Sequence, residues 1–128
     1  MRRIAMLIVL LAVLGLNACG NAQDAPAQAV VSYLEALAAK DFDRVVNLSC
    51  AEWEEGATVE VDSLEAVTAR LEDVACRSVG TNSDYTLVDC TGSIVLSYKG
   101  EERTIDLSRR TYQVRQQGGL WLMCGYEE

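Results

Sequence analysis

Four cysteines carry the plainest chemistry in this 128-residue chain: Cys50, Cys76, Cys90 and Cys124. No histidine accompanies them, and no two lie two to four residues apart as they do in zinc knuckles. The pattern disfavours a metal, so neither metal nor cofactor is expected. An even set of thiols suits two disulfides if the chain is exported from the reducing cytoplasm. Three other groups could do chemistry. Tyr33, Trp53, Tyr112 and Trp121 could line a ligand cavity, although a chain with one phenylalanine also needs them as core filling. Arg109, Arg110 and Arg115 share one stretch, where one inward arginine would suit an anionic ligand and outward, solvated side chains are the expectation. Glu52, Glu54, Glu55, Glu60, Asp62 and Glu65 form an acidic run. Paired carboxylates serve as acid and base only when their environments push their pKa values apart. Spacing alone does not do that, and a solvated acidic face is expected.

The N-terminus states an address. Met1 is followed by Arg2 and Arg3, an apolar run from Ile4 to Leu16, and then Asn17-Ala18-Cys19. A charged start, a short apolar core and a small residue before the cut describe a secretory signal peptide. The run is shorter than the roughly 18 residues that a membrane span needs. The Leu16-Asn17-Ala18-Cys19 stretch resembles a bacterial lipobox. Under that resemblance Cys19 is acylated, for example with palmitate, and becomes the mature N-terminus. The expected organisation is a signal peptide over 1–18, a tether over 19–25 and one domain over 26–128. The expected location is the outer side of a cell membrane, reached through the lipid anchor.

Cleavage leaves 110 residues, and the loss of Arg2 and Arg3 takes the formal charge from −8 to −10. A chain of this size buries about 65% of its unfolded surface, which makes a core of modest size. Strong negative charge argues against nucleic acid and against an anionic bilayer surface as direct partners.

These side chains must be positioned by elements that the pattern also predicts. Asp24 and Pro26 signal a helix start. Val30, Tyr33, Leu34, Leu37 and Ala38 then form one apolar helical face. Asp41 can cap a second helix whose face is Phe42, Val45, Val46 and Ser49. Residues 51–56 add a turn that brings Trp53 toward the core, and 58–67 fits either period. From 68 onward the period changes to two. Strands are expected over 68–79, around 88–98, over 103–116 and over 120–126. Turns fall at 80–84, 99–101 and 118–119. A switch of apolar parity within 103–116 predicts a β-bulge near Ser108 and Arg109. The fold class is α+β: N-terminal helices on a curved, antiparallel, four-stranded meander.

Three stretches resemble the nuclear-transport-factor-2-like superfamily, the cone-shaped, cystatin-like fold. Residues 29–37, AVVSYLEAL, resemble its first helix. Residues 39–48, AKDFDRVVNL, resemble the link into its second helix. Residues 118–124, GGLWLMC, resemble its closing strand. The chain is similar to small bacterial lipoproteins that carry such a domain with four cysteines. The resemblance implies a cone with a possible cavity, and a superfamily of isomerases, dehydratases, hydrolases and non-catalytic binding modules. Members often dimerise, so an oligomer is possible. No enzyme's catalytic set matches these residues.

Meander geometry orders the cysteines. Cys76 and Cys90 flank a turn centred near residue 83 and so face each other. Cys90 and Cys124 lie two strands apart, about 10 Å, beyond the roughly 7 Å that a disulfide spans. Cys76–Cys90 and Cys50–Cys124 are the expected pairs. The expected function is a membrane-anchored, non-catalytic domain that binds a small apolar ligand or an envelope protein. The alternatives are an isomerase- or hydrolase-type enzyme that uses an inward Asp or Glu with Tyr112 or Tyr33, or a purely structural envelope domain.

Overall fold

The computed structural model describes residues 24–128. The expected signal peptide and Cys19 lie outside the described residues. Helix α1, Ala25–Ala38, begins where Asp24 accepts a hydrogen bond from the amide of Ala27 at 3.2 Å, with Pro26 in the first turn. It takes in Ala25, the last residue of the expected tether. Val30, Tyr33, Leu34 and Leu37 are buried along it. The Asp24 carboxylate also accepts from the amide and hydroxyl of Ser78 on the first strand. Those bonds hold it below the usual carboxylate range.

Helix α2, Phe42–Asn47, is capped by Asp41. It is only six residues long and buries Val45 alone. Phe42, expected on the buried face, is 46% exposed, because as the first residue of the helix it has no preceding turn to pack over. A 3₁₀ turn over Ala51–Trp53 leads into a third helix, α3, Glu54–Ser63. Two helices were expected. Helical spacing settles the ambiguous stretch: Ala57, Val61 and Leu64 are buried while Val59 is exposed.

One antiparallel sheet follows: β1 Thr68–Asn82, β2 Tyr85–Tyr98, β3 Glu101–Asp106, β4 Thr111–Gln117 and β5 Leu120–Glu127. Strand β2 is central. It pairs with β1 on one side and with β3 and then β4 on the other, and β4 pairs with β5. The sheet therefore has five strands, not four. The expected third strand is broken by a 3₁₀ turn over Leu107–Arg109, held by Asp106 accepting from the amide of Ser108. The break sits where the bulge was expected. It goes further than a bulge because Leu107 drops fully into the core. Two-residue hairpins close at Lys99-Gly100 and at Gly118-Gly119, all four with positive φ.

Bulges curve the sheet around the helices. One sets Asp73 and Val74 of β1 against Gly92 of β2. Gly92 has a φ of +93°, and a Cβ there would lie 2.5 Å from the carbonyl oxygens of Glu72 and Asp73. Only glycine admits that approach. The core under the curve is built from Tyr33, Leu34, Val88, Leu107, Tyr112 and Met123. The architecture is the α+β cone expected from the sequence.

Both disulfides join the pairs that strand geometry predicts. Cys76 and Cys90 are direct cross-strand partners. Cys50 and Cys124 close a separation of 74 residues with their Cα atoms 5.2 Å apart. Beside the second bridge the backbone joins as well. The amide of Cys50 donates to the carbonyl of Met123, and the amide of Met123 donates to that of Leu48, both at 2.8 Å.

Two outcomes follow for urea unfolding. By chain entropy, Cys50→Ser with Cys124→Ser is expected to cost up to about 4.5 kcal/mol, and Cys76→Ser with Cys90→Ser up to about 3 kcal/mol. Equal losses would contradict the loop-length account. Gly92→Ala is expected to cost at least about 1–3 kcal/mol from backbone strain. Gly80→Ala, in open space, should be near neutral.

Candidate functional site

Helix α3 carries Glu60 across the open end of the sheet, and the 3₁₀ break delivers Arg110 to the same place. Their side chains are 16% and 14% exposed, and the Glu60 carboxylate lies 3.9 Å from the Arg110 guanidinium. The expectations placed Glu60 on a solvated acidic face and the arginines outward. Both residues are corrected. Glu60 faces inward because α3 presents it on the same side as Val61 and Leu64, and Arg110 because the strand break turns it toward the core. Arg109, the last residue of the 3₁₀ turn, stays exposed. Arg115 pairs with Glu52 beyond the site.

A chain of polar contacts runs inward from Glu60. The hydroxyl of Tyr33 donates to its carboxylate at 2.6 Å. The indole N–H of Trp53 donates to the Tyr33 oxygen at 3.1 Å. Burial, reinforced by the Glu60 charge, holds the Tyr33 phenol well above its ordinary value. Aromatic rings enclose the group. Tyr126 meets Trp53 and Tyr112 edge-on, with both centroid distances 5.7 Å. The Arg110 guanidinium sits 4.1 Å above the Tyr126 ring, and its Nε donates to Glu128 at 3.1 Å. Burial and then the Glu60 charge push the Tyr126 phenol up to about 12. The Tyr112 hydroxyl is fully buried and has no hydrogen-bond partner among the described residues. Burial raises its pKa and facing Arg110 lowers it, with a net rise. Trp53 fits because Gly56 and Gly125 flank it. A Cβ on Gly56 would lie 2.6 Å from the indole.

The cluster floors a partly open pocket of about 190 Å³, walled by Leu37, Leu64, Ile94 and Ile105, with Val59 at its rim. Of the four aromatic candidates, the structure brings Tyr33, Trp53 and Tyr112 together behind this floor, where they support it and do not line it. Trp121 lies elsewhere, beside Leu48 and the start of α1. Reasoning from sequence missed Glu60 and Tyr126. The available signal for Glu60 was its spacing from Ala57, Val61 and Leu64 on one helix. Cys50, Glu52 and Cys124 also cluster, but sulfurs joined in a disulfide are not thiolate ligands.

No protein-family model matches the sequence, and no curated protein does. Solved structures share the architecture. RPA3114, a SEC-C motif containing protein from Rhodopseudomonas palustris, is 18% identical with a TM-score of 0.52, covering 82% of this chain and 80% of that one. Aln2 from a Streptomyces species is 9% identical with a TM-score of 0.51, over 77% and 82%. The helical cell shape determining protein Pgp2 from Campylobacter jejuni is 11% identical with a TM-score of 0.51, over 77% of this chain and 38% of Pgp2. Likeness at these identities concerns the fold alone.

The tyrosines yield a pH dependence. Tyr126 titrates at about 12 when folded against an ordinary value of 10.0. Its contribution to stability is complete below pH 10 and is lost as pH rises through about 12. Phenolate absorbance should show this late ionisation, and Glu60→Gln should move it downward. An unmoved titration would remove the Glu60 charge as a cause.

Proposed function

We propose that this chain is a membrane-anchored, extracytoplasmic lipoprotein domain, acylated at Cys19, that binds a small ligand with an apolar body at the open end of its cone without transforming it. The single observation that carries the reading is the pocket: aliphatic walls over a floor of Glu60, Arg110 and Tyr126. Aliphatic walls with a few converging polar groups are the kind of surface that holds a small ligand, and about 190 Å³ suits only a small one. Two disulfides support an oxidising compartment. The Leu16–Cys19 stretch supports acylation, and two acyl chains make such attachment stable.

The polar groups favour holding over catalysis. Glu60 accepts from Tyr33 and faces Arg110, so its charge is already compensated. The buried tyrosines have raised pKa values, which makes them poor bases near neutrality. All four cysteines of the domain are oxidised. A second reading is an isomerase- or hydrolase-type enzyme, and one contact favours it: a carboxylate and the Tyr33 phenol do meet beside a pocket. An envelope protein bound at the same opening would keep the non-catalytic reading but replace the small ligand.

Native mass spectrometry of protein purified from its own membrane is expected to reveal a bound small molecule, released on denaturation. Val59→Trp is the matched variant. Val59 is 64% exposed at the pocket rim, so a large side chain should obstruct the opening without unfolding the domain. Loss of the adduct, at least tenfold, is the expected result. A wild-type spectrum with neither ligand nor partner overturns the binding reading. Turnover of the bound molecule, abolished by Glu60→Gln, would favour the enzyme.

A further inference from the structure

The β4–β5 hairpin tip and the start of α1 enclose a second, shallower groove of about 330 Å³. Leu48, Leu120 and Trp121 form its apolar side, with Ala25 and Ala29 on the helix opposite. No residue lining it is charged, in a chain that is 23% charged. Leu120 is 66% exposed at the tip. A single exposed leucine is ordinary. An exposed leucine followed by a half-buried tryptophan, directly after an uncharged Gly-Gly turn, is less so, because tryptophan favours the membrane–water interface and leucine the hydrocarbon beyond it.

We propose that this groove and hairpin tip are a bilayer-docking surface that sets how the domain sits on its membrane. The inference rests on the proposed acylation of Cys19. Chain length then fixes the occupant. Ala25 forms part of the groove wall and is six residues from Cys19. At about 3.3–3.6 Å per residue, that segment spans at most about 20–22 Å. The surfaces around the α1 N-terminus are therefore the ones kept nearest the lipid, and the uncharged, apolar groove is among them. The acidity of the rest of the domain keeps its other faces off anionic headgroups, so the contact should be stronger on zwitterionic lipid.

The two tryptophans of the chain provide the test. The mature acylated protein, its mass verified, is reconstituted into phosphatidylcholine vesicles with brominated acyl chains. In Trp53→Phe, the remaining Trp121 fluorescence is expected to fall at least twofold relative to unbrominated vesicles. In Trp121→Phe, the remaining Trp53 should change little. Should Trp53→Phe disturb folding, hydrogen exchange of the wild type gives the same answer. Amides of residues 118–122 are expected to exchange several-fold more slowly on vesicles than in the unacylated Cys19→Ser protein. Acylated protein with Trp121 unquenched and exchange unchanged overturns docking and leaves anchoring intact. A purified mass without acyl chains overturns anchoring, and docking with it. Protection of these amides in concentrated, lipid-free protein would assign the groove to a second copy and also overturn the proposal.

Discussion

The junction between Leu48–Cys50 and Met123–Cys124 is the constraint on which the rest depends. Two backbone hydrogen bonds and one disulfide hold the end of the second helix to the last strand. A core this size leaves little stability in hand. Without the junction, α2 would meet the sheet through side-chain packing alone. With it, the exposed edge of β5 is covered and α3 has a fixed starting point. Trp53 then falls three residues after the bridge, where the helix and Gly125 can enclose its indole.

Much of this was legible in the sequence because it rests on local chemistry. Asp24, Pro26 and Asp41 mark helix starts through bonds made within one turn. The hairpins at Lys99-Gly100 and Gly118-Gly119 need positive φ, and the residues there tolerate it. The cysteine pairs followed from turn centres and strand spacing. What stayed hidden depends on tertiary placement. Phe42 matched a buried face but stands at the first position of its helix, with no turn before it to pack over. Residues 103–116 alternated like one strand, and only Leu107's descent into the core shows why the chain breaks there. Glu60 sat among five other acids, and its place beside the apolar face of Ala57, Val61 and Leu64 shows only once 54–63 is known to be a helix. Trp121 was grouped with the other aromatics by residue type, yet β5 sets it in the groove beside the start of α1.

The Glu60 cluster illustrates how a small domain tolerates polarity in its interior. A carboxylate this sheltered needs compensation, and it receives a phenol, a guanidinium and the indole behind them. Arg110 in turn rests on Tyr126 and reaches Glu128. Each member limits the rotamers of the next, so the pocket floor is set before anything enters. Tyr112 is the exception, a buried hydroxyl left without an acceptor. Such a group costs free energy until something accepts from it.

Asp24 joins the first turn of α1 to Ser78 on β1. At the other end of that helix, the Lys40 ammonium donates to the carbonyl of Val67, next to the first residue of the same strand. The helix is thus laced to one strand at both ends. A mechanical load arriving through the N-terminus enters at the Asp24 lacing. Because Ser78 shares that anchor, the load reaches the strand as well as the helix, and α1 cannot be drawn away from its first turn without also breaking its hold on β1.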